Sequence, residues 1–184
     1  MKALLIIDMQ KGSFTSTTPR FDADNVVKRI NTLSSLFRKQ NYPVICVQHN
    51  GTGSGEFEKY NTDWENLDEL EILSTDILID KYANDVFYKS DLQKQLKALN
   101  VDELYITGCA TDFCVASTIQ SALTKDYKVI VVENGHTTGD RPSLSAEQVI
   151  AHYNWVWQNM IPTKGNVTVK STATILEKIQ KRAI

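Results

Sequence analysis

The sequence lacks two features that would place it in a special class of protein. It has no excess of positive charge, since 20 Lys and Arg stand against 22 Asp and Glu and give a formal net charge of −2. The electrostatic energy on which nucleic-acid binding depends is therefore missing. It also has no long hydrophobic run, because the apolar stretch 3–7 is closed by Asp8 and is too short for a membrane span or a signal peptide. We expect a cytoplasmic protein that binds neither nucleic acid nor membrane.

Cysteine is scarce as well. Cys46, Cys109 and Cys114 form an odd number on a chain without an export signal, so we interpret them as free thiols and not as a disulfide framework. With 184 residues, of which 42% are hydrophobic and 23% are charged, the chain has the size and composition of one domain, over residues 1–184. A core of this size needs neither disulfides nor metal for its stability.

Six short apolar runs alternate with helical patterns. The runs are near-continuous, which is typical of strands that are covered on both faces of a parallel sheet. They span residues 3–7, 44–48, 77–79, 104–107, 128–132 and 167–169. Spacings of three and four between apolar residues predict helices over 22–40, 91–99, 112–123, 145–159 and 171–182. Asp22 or Asp24 and Ser145 are the candidate caps. The pattern predicts an α/β fold with an open, doubly wound, mainly parallel six-stranded sheet and helices on both faces.

One connection, residues 50–76, is longer than such folds usually need. It begins with three glycines within 51–55 and continues with Phe57, Tyr60 and Trp64. Flexible glycines followed by aromatic residues suit a lid or an oligomer contact, and a tolerated surface insertion explains them equally well.

Three polar residues follow three different strands. Asp8 ends the first run and Lys81 follows the third, whereas Cys114 lies beyond the fourth, where the next helix begins. Ligands of such folds bind at this edge of the sheet, and a helix amino terminus favours a thiolate. Taken alone, Asp8 could be a turn or cap residue, Lys81 a solvated lysine and Cys114 a small buried hydrophobe. Together they provide a nucleophile, a proton acceptor and a positive charge.

Three segments resemble one known superfamily. Residues 105–118, YITGCATDFCVAST, closely resemble the cysteine-loop signature of the isochorismatase-like cysteine hydrolases, which include nicotinamidases and N-carbamoylsarcosine amidohydrolases. Residues 4–10, LLIIDMQ, and 81–87, KYANDVF, match the other two motifs in the same order. The resemblance spans roughly residues 2 to 170 and implies the Rossmann-type three-layer α/β/α fold of that superfamily.

The resemblance also implies an activity and its residues. Asp8, Lys81 and Cys114 would form the catalytic triad, and the bond between Cys109 and Ala110 would be a cis peptide. The backbone N–H groups of Ala110 and Cys114 would form an oxyanion hole. The expected reaction is hydrolysis of a small-molecule amide, imide or ureido C–N bond through a thioester, without a cofactor. An isochorismatase-type vinyl-ether hydrolase, which does not need the cysteine, and a non-catalytic binding protein on the same fold are the alternatives.

The resemblance to nicotinamidases is incomplete. They carry an Asp-x-His pair after the second strand, which helps to hold a metal, whereas this chain has Val47-Gln48-His49, so we predict no metal. Four further residues are candidates for substrate contact, although His49 could hydrogen-bond the rim of the site and Cys109 could be structural. They are Phe14, His49, Cys109 and His136.

Aromatic residues crowd the predicted helix 145–159. Tyr153, Trp155 and Trp157 exceed what a monomer surface usually displays. We therefore predict a homodimer or homotetramer that uses this helix, in which His152 has a surface or interface role.

Overall fold

The computed structural model describes residues 1–162 and 164–181, and it contains a six-stranded sheet that is covered by helices on both faces. The strands are β1 (Lys2–Ile7), β2 (Val44–His49), β3 (Ile77–Lys81), β4 (Glu103–Cys109), β5 (Lys128–Thr137) and β6 (Val167–Lys170). The helices are α1 (Ala23–Lys39), α2 (Leu92–Ala98), α3 (Ala116–Thr124), α4 (Ala146–Gln158) and α5 (Thr172–Gln180). A π-helical turn, Thr111–Val115, precedes α3, and we call it the cysteine turn. No helix within the described residues is long and apolar enough to span a membrane.

All neighbouring strands are parallel, in the order β3-β2-β1-β4-β5-β6. The predicted open, doubly wound sheet is therefore confirmed. Strand order reverses between β1 and β4, so the carboxyl ends of these two strands border the crevice in which such folds bind ligands.

The hydrophobic pattern of β1 explains the three layers. Its side chains alternate between the faces of the sheet, so Leu4 and Ile6 pack in the cluster that includes α1 and α5, whereas Leu5 and Ile7 pack in the cluster that includes α2, α3 and α4. Each of these four residues is buried. The strand thus needs apolar residues at every position from 3 to 7, and this is why its sequence shows a continuous run there.

The ends of several elements differ from the sequence prediction. β5 continues five residues beyond the predicted 128–132, because its distal part pairs with the end of β4 after a register shift, with Gly108 opposite His136. The predicted helix 112–123 divides into the cysteine turn and α3. The helix predicted over 171–182 ends at Gln180. Residue 182, the last of the predicted range, lies outside the described residues.

The predicted helix caps have different outcomes. Ser145 caps α4 in a capping box with Gln148. Asp22 occupies the N-cap position of α1, but its side chain makes no capping hydrogen bond. Its carboxylate accepts hydrogen bonds from Asn25 and Arg29 instead.

Candidate active site

Three side chains meet beyond the carboxyl ends of the strands. Lys81 is the last residue of β3 and is completely buried, at 0% exposure. Its Nζ donates a hydrogen bond to Asp8 Oδ2 at 2.7 Å and another to Cys114 Sγ at 3.4 Å. The three residues that were singled out in the sequence, from three separate segments, therefore form one cluster.

Lys81 is the centre of this cluster because it has more acceptors than protons. Besides Asp8 and Cys114, its Nζ donates to the Ala83 carbonyl at 3.0 Å and lies 3.4 Å from His49 Nδ1. An ammonium has three N–H groups. The two nearer oxygens take two of them, so the more distant sulfur and imidazole share the third. Burial is the largest single influence and acts to lower the pKa of Lys81, but the charge of Asp8, the nearby Cys114 and the hydrogen bonds to both together raise it.

The electrostatics of Cys114 correct one sequence expectation. The start of a helix was expected to favour a thiolate, but the pKa of Cys114 is raised to about 12. Burial is the largest cause and the charge of Asp8 adds to it, while Lys81 acts in the opposite direction. The resting site therefore holds a neutral thiol beside an ion pair, and the thiol needs a proton acceptor before it can react.

The backbone around the cysteine turn has an unusual shape. The peptide bond between Cys109 and Ala110 is cis. The Ala110 carbonyl accepts hydrogen bonds from the N–H groups of Phe113 and Val115, but the Cys114 N–H between them is not among its donors. Gly108 precedes this segment with a φ of +120°, and a Cβ there would lie 2.1 Å from the Ile7 carbonyl oxygen. Only glycine fits this close approach of β4 to β1.

His49 lies at the edge of the cluster. Its Nδ1 faces the Lys81 ammonium and must be the acceptor, so we assign the ring proton to Nε2. Burial and the charge of Lys81 lower the pKa of His49. Gln10 fixes the backbone of His49, because its Oε1 accepts from the His49 N–H at 2.8 Å and its Nε2 donates to the His49 carbonyl at 3.0 Å. Phe57 packs edge-on against the imidazole with ring centroids 6.0 Å apart, so the long connection borders the site.

The other three substrate-contact candidates lie elsewhere. His136 is 1% exposed, and both of its ring nitrogens face protein groups, Thr111 Oγ1 at 2.9 Å and Asn154 Oδ1 at 3.0 Å. Cys109 is buried among apolar residues, which raises its pKa to about 12. Phe14 lines a cleft of about 560 Å³ beside α1, to which no residue of the Asp8, Lys81 and Cys114 cluster contributes.

Two contacts of the site were missed in the sequence. Asn84 Oδ1 accepts a long hydrogen bond from Cys114 Sγ at 3.6 Å, and Gln10 positions His49 as described. Both residues lie inside the quoted motifs, three residues after Lys81 and two after Asp8. The motifs therefore indicated the segments that carry these residues, but the sequence does not indicate which groups they contact. Within residues 1–162 and 164–181, no group of three or more His, Cys, Asp and Glu side chains is arranged to hold a metal ion.

The aromatic residues of α4 do not form the expected surface patch. Trp157 is completely buried and Tyr153 packs against the core, while Trp155 is 65% exposed. Val149, Tyr153 and Trp157 follow one another at intervals of four residues and therefore share the inner face of the helix. The argument for an oligomer is left with one exposed tryptophan, and the homodimer or homotetramer stays a prediction.

The sheet order and the acid, lysine and thiol at its carboxyl edge define a doubly wound α/β protein with a half-buried thiol site. The family model described as Isochorismatase domain matches residues 2–162. The chain therefore belongs to the isochorismatase family of hydrolases, as its motifs suggested.

Relatives and solved structures agree with this family. The uncharacterized isochorismatase family protein YddQ of Bacillus subtilis is 30% identical over 95% of this chain and 98% of its own length. The ureidoacrylate amidohydrolase RutB of Cronobacter sakazakii is 26% identical over 74% of this chain and 75% of its own length. A crystal structure of an isochorismatase family protein has a TM-score of 0.85 at 29% identity and covers 92% of this chain and 98% of that chain.

Proposed function

We propose that this protein is a cysteine-dependent hydrolase that cleaves an amide, imide or ureido C–N bond of a small molecule. The observation that carries the proposal is the buried Lys81 ammonium, which contacts the Asp8 carboxylate at 2.7 Å and the Cys114 sulfur at 3.4 Å. These are the groups that nucleophilic attack on a carbonyl requires. Similarity to a relative that is named an amidohydrolase supports an amide-type bond.

The first half of the reaction forms a thioester. Asp8 Oδ2 is paired with Lys81, while Asp8 Oδ1 is buried and has no hydrogen-bond partner within the described residues. This oxygen accepts the thiol proton of Cys114 as the sulfur attacks the substrate carbonyl. An S–C bond forms, the S–H proton moves to Asp8, and the carbonyl oxygen becomes an oxyanion. Because the pKa of Cys114 is high, about 12, proton transfer and attack are closely linked.

Two backbone N–H groups stabilise the oxyanion in this proposal. They belong to Ala110, which follows the cis peptide bond, and to Cys114, whose N–H is not a donor to the Ala110 carbonyl. One such donor contributes about 3 to 4 kcal/mol to catalysis in other enzymes. The Lys81 ammonium remains in place throughout and compensates the negative charge that moves between sulfur and carboxylate.

The second half releases both products. Asp8 gives its proton to the departing nitrogen, and the C–N bond breaks to leave the acyl group on Cys114. Asp8 then takes a proton from a water molecule, which attacks the thioester carbonyl. The S–C bond breaks, the acid leaves, and the sulfur recovers its proton from Asp8.

A substrate panel with ammonia detection tests the proposal. Amides, imides and ureido compounds are incubated with the native protein, and intact mass spectrometry detects an acyl adduct. Cys114→Ala and Cys114→Ser are expected to abolish turnover and the adduct. The matched control is Cys46→Ala, which removes a buried thiol from β2, and it should retain both. Full turnover by Cys114→Ala would contradict the thioester mechanism.

A further inference from the structure

An ion pair anchors the cysteine turn two residues before the proposed nucleophile. Arg141 donates to both carboxylate oxygens of Asp112, from Nε at 2.6 Å and from Nη2 at 2.9 Å. The Thr138 hydroxyl donates to the same carboxylate at 2.7 Å and accepts from Arg141 Nη2 at 2.6 Å. The three side chains form a closed cycle, which we call the turn clamp. A bidentate Arg–carboxylate pair fixes the relative orientation of the two side chains as well as their separation.

The residues on either side of Asp112 are held from the same direction. Thr111 Oγ1 lies 2.9 Å from His136 Nδ1, and the ring of Phe113 lies 5.1 Å from the Arg141 guanidinium carbon. Thus residues 111, 112 and 113 are all tied to the distal part of β5 or to the segment that follows it. The register shift between β4 and β5 makes this possible, because it brings the end of β5 beside the end of β4.

Cys114 is contacted on its other side by Lys81, the last residue of β3. Its sulfur accepts from Lys81 at 3.4 Å, and Lys81 is in turn fixed by Asp8 at 2.7 Å. The position of the sulfur therefore depends on two attachments that share no residue: the ion pair at one edge and the turn clamp at the other. A small displacement of a reacting group is costly in catalysis.

Arg141 itself has little capacity left for a ligand. Its Nε and Nη2 are used by Asp112 and Thr138, and its Nη1 lies 3.3 Å from the Asp140 carbonyl. The carboxylate of Asp112 is mostly buried, with a side-chain exposure of 13%. The side chain of Arg141 is 27% exposed. These contacts fit a structural link within the site better than a receptor for substrate.

We propose that Asp112 and Arg141 are positioning residues whose pairing, with Thr138, holds the cysteine turn so that the Cys114 sulfur meets Lys81 and the Cys114 N–H faces the developing oxyanion. The catalytic part of this inference rests on the proposed function. The geometric part concerns only where the sulfur lies, and it is measured without substrate.

The test measures the labelling of Cys114 by iodoacetamide as a function of pH, with peptide mass spectrometry on the native protein, Asp112→Asn, Arg141→Gln and Arg141→Lys. A loosened turn lets the thiol leave its half-buried position. The labelling pKa should therefore fall from its raised native value toward the ordinary thiol value of about 8.5 in the first two variants. Arg141→Lys keeps the charge but not the bidentate geometry. Its labelling pKa should therefore lie between those of the first two variants and that of the native protein.

The matched control is Arg38→Gln. Arg38 forms the same kind of bidentate pair with Asp76, at 2.9 and 2.7 Å. This pair links α1 to the segment before β3. Its loss should lower stability and leave the labelling profile of Cys114 unchanged, so that general destabilisation is separated from positioning. On a substrate that the panel identifies, Asp112→Asn and Arg141→Gln should lower kcat by about a hundredfold with little change in KM. The double variant should be no worse than either single one.

Two results would overturn the proposal. One is a native-like labelling profile in both Asp112→Asn and Arg141→Gln. The other is a slower reaction of Arg141→Gln with the anion iodoacetate alone, at an unchanged iodoacetamide rate, since Arg141 would then be a receptor for a substrate carboxylate. Turnover by Cys114→Ala would remove the proposed function, but the labelling experiment would still decide whether the turn clamp positions the sulfur.

Discussion

His136 should make the stability of this protein depend on pH in a narrow range. Burial lowers its pKa from the ordinary 6.5 to about 4. Asn154 donates from Nδ2 to the Glu133 carbonyl, so its Oδ1 accepts from His136 Nε2, and His136 Nδ1 accepts from the Thr111 hydroxyl. The neutral ring is therefore satisfied on both sides. A second ring proton would point at a hydroxyl that now donates.

The sign of the effect follows from proton binding. Between pH 6.5 and pH 4 the unfolded chain binds a proton at this histidine and the folded protein does not, so the stability present above pH 6.5 is lost as pH falls. The full difference corresponds to about 3 kcal/mol, of which about 2 kcal/mol develops between pH 7.5 and pH 5. The half-buried His49, whose pKa is also lowered, adds a contribution of the same sign.

Urea unfolding followed by tryptophan fluorescence measures this loss, since the buried Trp157 packs against the His136 ring at 5.2 Å. The free energy of unfolding is compared between pH 7.5 and pH 5 for the native protein, His136→Gln and His152→Gln. His136→Gln should lose about 2 kcal/mol less than the native protein over this interval. His152→Gln, which changes an exposed residue of α4, should behave like the native protein. An equal loss in the native protein and in His136→Gln would refute the reasoning.

The sequence predicts the strands and the cluster at their ends for a simple reason. Parallel strands that are buried on both faces need continuous apolar runs, so the first polar residue after each run marks the edge of the sheet. Asp8 is such a residue, Lys81 comes directly after Asp80, the first polar residue beyond the third run, and Cys114 follows the fourth run by one short turn. The pairing of strands then brings the three side chains together.

The turn clamp could not be predicted in the same way. Glu133 and Asn134 interrupt the apolar run of β5, so the pattern ends at 132 although the strand continues to Thr137. The extension exists because of its pairing with Gly108 and Cys109, which is a tertiary effect. Because the sequence does not predict this extension of β5, it does not predict where the segment that carries Arg141 lies relative to the cysteine turn. Helical spacing, in contrast, did contain the information that Trp157 faces the core.

Three further predictions concern assembly, backbone and charge. The predicted homodimer or homotetramer is checked by sedimentation, and monomers alone at micromolar concentration would contradict it. Gly108→Ala should lower the free energy of unfolding by about 3 kcal/mol or more, because the new Cβ would lie 2.1 Å from a carbonyl oxygen of β1; urea denaturation measures the change, and a loss below 1 kcal/mol would show that the strands separate easily. Lys81→Met should abolish turnover and cost about 3 to 5 kcal/mol, since it leaves the buried Asp8 carboxylate without its partner. Lys59→Met is the matched control, because Lys59 and Asp80 are also 2.7 Å apart but far more exposed, at 40% and 26%, and such pairs contribute about 0 to 1 kcal/mol. If both lysine variants lose the same stability, burial does not decide the strength of the pair, and the assignment of Lys81 as the fixed charge of the site loses its basis.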